Sequence, residues 1–150
     1  MKYLLDTDAI AFLYDDQREE NSKIIAKLET LKDDDILFIS ILSLFELEYS
    51  FANTNDNLKK SQIRTTINDI KYDSFFNILS INTETSRIYG EVKSTLKNRE
   101  NISRSNIKKH NIDIILASTA LQEGCTLVSG DSIYLTMVKH KPELLIQTWW

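Results

Sequence analysis

Residues 1–8 read Met1-Lys2-Tyr3-Leu4-Leu5-Asp6-Thr7-Asp8, and this stretch decides the fold. A short apolar run that ends in a carboxylate is typical of a buried strand, so residues 2–5 are predicted to form one. Ligands of open α/β folds bind outside the carboxyl ends of parallel strands, which is where Asp6 would lie. Asp6 is therefore the first candidate for a functional residue.

The same pattern recurs along the chain. Short apolar runs alternate with amphipathic stretches, which indicates a parallel sheet flanked by helices. Further strands are predicted at residues 36–39, 78–81, 126–129 and 144–149. Helices are predicted at residues 9–14, 20–31, 42–51, 58–72, 83–96 and 112–122. We therefore expect an α/β fold.

Length and composition indicate a single domain over residues 1–150. The chain has 42% hydrophobic and 27% charged residues, which is typical of a folded protein, and its few Gly and Pro residues mark no linker. No segment reaches the ~20 apolar residues of a membrane span, and acids follow residue 5 too soon for a signal peptide. We expect a cytoplasmic protein without a membrane anchor. The only cysteine, Cys125, excludes an intramolecular disulfide.

Three other acids occupy positions comparable to that of Asp6. Glu46 and Asp113 lie in strongly apolar segments, and Asp131 follows a predicted strand. Hard divalent cations such as Mg²⁺ and Mn²⁺ prefer oxygen ligands and can polarise a phosphate group. Clustered carboxylates repel one another unless cations bridge them. The set therefore predicts a metal site formed by at least three of Asp6, Glu46, Asp113 and Asp131.

Each of the four acids also has a purely structural interpretation. Asp6 and Asp113 stand where a helix N-cap is expected. Glu46 has capping-box spacing to Ser43, although its apolar neighbours indicate a largely buried segment in which a charge needs a partner. Asp131 follows Gly130, and Gly-Asp is common in turns for backbone reasons. The metal interpretation depends on the combination rather than on any one acid.

Three further polar residues are interpreted as structural. Asp8 falls in the first helical turn after Asp6, where the helix dipole favours an acid. His110 and His140 lack a histidine partner at metal-ligand spacing, so we interpret both as surface residues.

Charge is distributed unevenly along the chain. Residues 87–110 contain seven Lys and Arg against two Glu, a net charge of +5, which leaves −9 on the rest of a chain of net charge −4. A basic segment beside an acidic metal site is what a nuclease needs, because cations offset the carboxylates while the basic residues hold phosphates. A solvated helix face is the alternative. The candidates for backbone contacts are Arg104, Lys108 and Lys109.

In three blocks the chain resembles PIN-domain ribonucleases, and among them the VapC toxins of VapBC toxin–antitoxin pairs. The blocks are residues 1–8, residues 43–49 (Ser-Leu-Phe-Glu-Leu-Glu-Tyr), and residues 113–121 running into Leu127-Val128-Ser129-Gly130-Asp131. They span almost the whole chain in the family's order. One departure is the Ser129-Gly130-Asp131 turn, where the family often has a Thr-Arg-Asn-like turn. The segment between residues 96 and 113 is also longer and more basic than usual.

The resemblance implies a three-layer α/β/α fold with a five-stranded parallel sheet and an acidic Mg²⁺ or Mn²⁺ site. On its pattern, Asp6, Glu46 and Asp113 match the core acids, and Asp131 matches a fourth, more variable position. It further implies an endoribonuclease acting on RNA, a homodimer, and inhibition by a small antitoxin protein whose tail enters the site.

Two other functions remain open on sequence alone. Residues 5–8 and 128–131 also resemble elements of haloacid-dehalogenase phosphatases, in which Asp6 would be a nucleophile that forms an aspartyl-phosphate. That interpretation leaves Glu46 and Asp113 without a role. The second alternative is a non-catalytic PIN-like module that binds RNA or a partner protein.

Overall fold

The computed structural model describes residues 1–72 and 75–150. Within these residues, five strands form one sheet: β1 (Lys2–Leu5), β2 (Ile36–Ser40), β3 (Asn77–Leu79), β4 (Thr126–Val128) and β5 (Ile146–Gln147). All neighbouring strands are parallel, in the order β3-β2-β1-β4-β5. Leu5, the last residue of β1, pairs with Ile39 on one side and Val128 on the other. The central strand therefore ends between the ends of β2 and β4.

Helices connect the strands and cover both faces of the sheet. In the described part of the chain they are α1 (Thr7–Leu13), α2 (Glu19–Leu28), α3 (Ile41–Asn53), α4 (Asn57–Tyr72), α5 (Thr83–Arg99), α6 (Arg104–Lys109), α7 (Asn111–Glu123) and α8 (Ser132–Val138). Helix α7 ends at Gly124, whose left-handed φ of 64° is the conformation that Gly adopts without a Cβ penalty. This helix returns the chain to the central part of the sheet.

Alternating side chains of the strands divide the core into two layers. Tyr3 and Leu5 face one side of the sheet, where they pack with buried residues of α1, α2, α3 and α4. Leu4 faces the other side, where it packs with α5, α6, α7 and α8. Burying one such side chain contributes ~1.5–3 kcal/mol. The predicted three-layer α/β/α fold with a five-stranded parallel sheet is confirmed.

The sequence pattern misses two helices and misplaces some strand ends. Helix α6 has one buried residue, Ile107, so it carries no apolar periodicity. Helix α8 is short and follows a segment that was interpreted as a turn. The edge strand β3 covers Asn77–Leu79 instead of residues 78–81, and β5 is shorter than predicted. The length of an edge strand depends on its pairing with the neighbouring strand. It therefore cannot be predicted from the length of the apolar run.

Trp149 and Trp150 pack on the face of the sheet that carries Tyr3 and Leu5. Trp149 stacks edge-on against Tyr3, and Trp150 against Phe12, each with ring centroids 5.2 Å apart. Trp150 also lies against Gly130, where an added Cβ would come within 2.9 Å of its ring. The loop between β4 and α8 is thus packed beneath an indole.

Two expectations from composition can be compared with the structure. Among residues 1–72 and 75–150, no helix combines the length and the apolar character needed to cross a bilayer. Cys125 is buried, and burial raises the pKa of its thiol to about 11. The thiol is therefore packed and unreactive at neutral pH.

Candidate functional site

A pocket of about 180 Å³ opens at the carboxyl end of the sheet. It is lined by the residue that follows β1, by residues of α1, α3, α7 and α8, and by the β4–α8 loop. The lining residues are Asp6, Thr7, Asp8, Glu46, Ile112, Asp113, Leu116, Asp131 and Tyr134. The structure therefore brings all four predicted acids to one pocket, although they are widely separated in sequence.

Asp6 lies at the floor of the pocket, with 6% of its surface exposed. Its Oδ1 accepts a hydrogen bond of 2.7 Å from the Ala9 N–H, so Asp6 is also the N-cap of α1. Burial raises the pKa of Asp6 to about 6; hydrogen bonds from Ser129 and Ala9 oppose the rise, and the Asp8 and Asp131 carboxylates add to it. Asp6 therefore caps α1 and also lines the pocket, so its capping role does not exclude a role in the site.

Glu46 projects from α3 and accepts a hydrogen bond from the Thr7 hydroxyl. The capping-box interpretation of Glu46 is wrong, because α3 begins at Ile41 and its cap is Ser40, whose Oγ accepts from the Leu42 N–H. Glu46 itself is half-buried. Thr7 therefore supplies the partner that a charge in this position needs.

The segment around Glu46 is less buried than its composition suggests. Phe45 and Tyr49 lie one helical turn apart and are 64% and 72% exposed, whereas Leu44 and Leu47 are buried. The expectation of a largely buried segment is wrong on this face. Helix α3 thus places Glu46 at the border between its buried and its exposed surface.

Asp113 lies in the first turn of α7 and is bound by His110. Oδ2 of Asp113 lies 2.9 Å from Nδ1 of His110, the N-cap residue of the helix. Burial raises the pKa of Asp113, the hydrogen bond from His110 lowers it, and the Asp131 carboxylate raises it. His110, which was interpreted as a surface residue, is half-buried and contacts a candidate site residue.

Asp131 is the most exposed of the four predicted acids and is the N-cap of α8. Its Oδ1 accepts a hydrogen bond of 3.0 Å from the Ile133 N–H. Its own N–H donates to the Ser129 hydroxyl over 3.1 Å, and the same hydroxyl hydrogen-bonds the Asp6 carboxylate. Ser129 therefore fixes Asp131 relative to Asp6. The Gly-Asp turn predicted from sequence is a helix start.

Sequence reasoning missed three polar residues that line the pocket: Thr7, Asp8 and Tyr134. Asp8 was interpreted as structural, but it lies near enough to raise the pKa of Asp6. Tyr134 is 1% exposed, and burial together with the Asp113 and Asp6 carboxylates raises the pKa of its phenol far above the usual value. The spacing Asp131 to Tyr134 on α8 is the signal that could have placed Tyr134 on the pocket wall.

The four carboxylates line one pocket but do not converge on one point. In the described ranges, no three acidic, histidine or cysteine side chains are arranged to hold one metal ion together. Each predicted acid instead accepts a hydrogen bond from the protein, from Ala9, Thr7, His110 or Ile133. The donor set still suits Mg²⁺ or Mn²⁺, since every acid supplies oxygen and repulsion among them favours a cation. Coordination by at least three acids remains a prediction.

The predicted RNA-contacting residues lie on α6, which leads directly into His110. Arg104, Lys108 and Lys109 are exposed on this helix. No ion pair to these three residues occurs within the described part of the chain, whereas Arg87 is paired with Glu84 and Glu91. The unpaired positive charge of the basic segment therefore includes the helix that adjoins the pocket through His110.

Comparison with solved structures identifies the architecture. VapBC2 from Rickettsia felis, solved bound to a DNA fragment from their promoter, is similar with a TM-score of 0.74, 24% identity and full coverage of both chains. VapBC-1 from nontypeable Haemophilus influenzae gives a TM-score of 0.73 at 22% identity, over 99% of this chain and 98% of that chain.

VapBC-5 from Mycobacterium tuberculosis, a member of the VapBC family of toxin–antitoxin systems, gives a TM-score of 0.67 at 15% identity over 98% of each chain. At these identities the likeness concerns the fold. A comparison with curated protein sequences finds no significant match.

The family model described as PIN domain matches residues 3–139, which include all four predicted acids and the basic helix α6. The match runs without a break from Tyr3 in β1 to the residue after α8, so only β5 among the described strands lies outside it. The sequence resemblance and the fold agree on this point. The chain belongs to the PIN domain family.

Proposed function

We propose that this chain is a Mg²⁺- or Mn²⁺-dependent endoribonuclease, a single PIN domain over residues 1–150 that hydrolyses RNA phosphodiesters. The observation that carries the proposal is the pocket in which Asp6, Glu46, Asp113 and Asp131 meet at the carboxyl end of the sheet. Family membership supports a nuclease, and an all-carboxylate set suits hard cations. RNA is the proposed substrate because the sequence resembles ribonucleases.

The four acids would hold the cation. When bound, a divalent cation would offset the charge of the scissile phosphate and make an attacking water more acidic. Asp6, whose pKa is about 6 in the buried floor, would bind a cation in its ionised form. Asp131 stands at the exposed rim, where it can complete the ligand set or orient a water.

The neighbouring residues hold the acids in place. Thr7 fixes Glu46, and Ser129 joins the carboxylate of Asp6 to the backbone of Asp131. A side chain that is already held in place loses less conformational entropy when it binds a cation. The chain thus restrains Asp6 and Glu46 at the pocket.

Helix α6 would bind the RNA backbone next to the pocket. Arg104, Lys108 and Lys109 are exposed and lead into His110, which contacts Asp113. Lysine and arginine bind phosphates by releasing counterions, so this binding depends on salt. A protein of net charge −4 needs such a local surface to hold an RNA.

We further propose that the chain is the toxin of a toxin–antitoxin pair. The similarity in fold to VapBC proteins supports a small antitoxin protein as partner, and the sequence resemblance supports a homodimer. The cytoplasm is the proposed location because both RNA and antitoxin are found there. A neighbouring short gene for a DNA-binding protein that co-purifies with the chain and inhibits it would support this assignment.

The activity is tested with the purified chain, structured and single-stranded RNA, and a titration of Mn²⁺ and Mg²⁺. We expect cleavage that requires the metal, stops on addition of EDTA, and is lost in Asp6→Asn, in which Asn can retain the cap of α1. A matched control is Asp16→Asn on the exposed loop before α2, which should cleave normally.

The alternatives predict different results. RNA binding without cleavage at saturating Mn²⁺ would favour the non-catalytic module. A phosphate trapped on Asp6 would favour the phosphatase. Neither alternative accounts for loss of RNA cleavage in Glu46→Gln and Asp113→Asn, which is the result that the nuclease requires.

A further inference from the structure

His110 stands at the junction of two helices and faces an acid of the pocket. Its backbone N–H donates to the Ile107 carbonyl at the end of α6, over 3.3 Å, and its carbonyl accepts from the Ile114 N–H at the start of α7, over 2.9 Å. His110 thus hydrogen-bonds to both helices through its backbone, and its side chain makes no capping hydrogen bond to α7. The imidazole is available for Asp113.

The direction of the side-chain hydrogen bond follows from its chemistry. Nδ1 of His110 lies 2.9 Å from Oδ2 of Asp113, and both side chains are partly buried. An ionised carboxylate only accepts hydrogen bonds, so Nδ1 carries the proton and donates it. The bond holds one oxygen of Asp113 and leaves the other for a ligand in the pocket.

We propose that His110 is a positioning residue that orients the Asp113 carboxylate for cation binding and connects it to the basic helix α6. The inference rests on the proposed function, because it concerns the same site. Groups that hydrogen-bond a ligating side chain typically change metal affinity 10–100-fold when they are removed. Lys108 and Lys109 directly precede His110, so RNA bound on α6 would lie next to the group that orients Asp113.

The second histidine of the chain provides a matched control. Nε2 of His140 lies 2.7 Å from Oε1 of Glu100, so it makes the same type of contact with a carboxylate. Neither His140 nor Glu100 lines the pocket. Substitution of His140 therefore removes a similar histidine–carboxylate hydrogen bond and leaves the candidate metal ligands unchanged.

The test measures Mn²⁺ affinity by isothermal titration calorimetry, which does not depend on catalysis. We expect His110→Ala to weaken Mn²⁺ binding ~10-fold and His140→Ala to leave it unchanged. His110→Asn should bind nearly as the wild type does, because its amide nitrogen stands as many bonds from the backbone as Nδ1. In an Asp113→Asn background, His110→Ala should cause no further loss, since the two residues act through one carboxylate.

A structural role alone predicts a different pattern. Thermal unfolding in EDTA reports the contribution of His110 to stability, and a lower Tm with unchanged Mn²⁺ affinity would overturn the proposal. If His110→Ala does not fold, the comparison of His110→Asn with His110→Gln decides, because Gln carries its donor one bond farther out. Equal affinity of those two variants overturns the positioning role.

The outcome also separates this inference from the function on which it rests. Wild-type protein that binds no Mn²⁺ would overturn both the metal site and the role of His110. If the wild type binds Mn²⁺ and every His110 variant binds it with the same affinity, only the positioning role is overturned.

Discussion

The Thr7 hydroxyl donates a hydrogen bond to Glu46 and so joins the first turn of α1 to α3. Thr7 directly follows Asp6, which means that two acids distant in sequence are held together through neighbouring residues. The Ser43 hydroxyl lies 3.1 Å from that of Thr7 and adds a third group to this contact. The shape of the pocket thus depends on hydroxyls as well as on carboxylates.

Thr7→Val should release Glu46 while keeping the volume of the side chain. We expect a loss of ~1.5 kcal/mol in the free energy of unfolding, the lower end for hydrogen bonds to charged groups because Glu46 is half-buried, and about tenfold slower RNA cleavage. Urea unfolding and a cleavage assay measure the two effects. Thr7→Ser retains the hydroxyl and should behave as the wild type does; cleavage by Thr7→Val at the wild-type rate would contradict the role of Thr7.

Asp6→Asn should stabilise the metal-free protein at neutral pH. The pKa of Asp6 is about 6 in the folded chain against 3.8 for an ordinary aspartate, as in the unfolded chain, so the folded state binds more protons between these two values. The stability of the wild type therefore falls as pH rises through this window, by about 3 kcal/mol relative to the variant. Denaturant unfolding in EDTA at pH 4 and pH 7.5 measures the difference. A gap between the two proteins that does not change with pH would refute this prediction.

Asp131→Asn and Asp131→Ala should separate the capping role of Asp131 from its role in the pocket. Asn caps helices about as well as Asp does, so Asp131→Asn should unfold like the wild type yet cleave RNA more slowly. Asp131→Ala should in addition lose ~1 kcal/mol of stability because the Ile133 N–H loses its acceptor. Equal cleavage by Asp131→Asn and wild type would restrict Asp131 to a structural role.

Lys108→Ala/Lys109→Ala should weaken RNA binding and reduce its dependence on salt. For a single-stranded RNA, each lost phosphate contact lowers the slope of log K against log salt by ~0.7. Fluorescence anisotropy in an Asp6→Asn background measures affinity without cleavage. The control is Lys23→Ala/Lys32→Ala, which removes the same charge from exposed positions in another part of the fold. Equal slopes for the two double variants would remove α6 from the RNA-binding surface.

Gly130→Ala should disturb the pocket through Trp150. The new Cβ would come within 2.9 Å of the Trp150 ring, so the loop or the indole has to move. Overpacking of this kind typically costs ~1–3 kcal/mol, and Asp131 follows Gly130 directly. We expect a lower Tm together with weaker Mn²⁺ binding. Trp150→Leu in the same chain should restore part of both; a double variant no better than Gly130→Ala would show that the contact with Trp150 is not the cause.

Much of the fold could be predicted from sequence because a buried parallel strand leaves a plain signal. The apolar run before Asp6 marks β1, and the predicted ends of β1 coincide with those observed. Helix α6 could not be predicted in the same way, because Ile107 is its one buried residue. Local propensity, tertiary contacts and capping form such a helix, and these do not appear as periodicity.

The acids of the site could be predicted, but their partners could not. A carboxylate after an apolar run is visible in the sequence, and all four predicted acids line the same pocket. The contacts of Glu46 with Thr7 and of Asp6 with Ser129 join residues that are far apart in the chain. Sequence spacing carries no record of such pairs, because only the completed sheet brings them together.

The position of β1 between β2 and β4 also determines when the pocket can exist. Asp6 and Glu46 leave the ribosome early, but Asp113 and Asp131 reach their places only once β4 pairs with β1. Domains fold during synthesis as their residues become available, and parallel pairings of distant strands are slow to form. A growing chain therefore carries an incomplete set of acids until residue 131 has been translated. If the chain is the ribonuclease proposed above, this strand order would keep it inactive towards its own messenger until β4 has paired with β1.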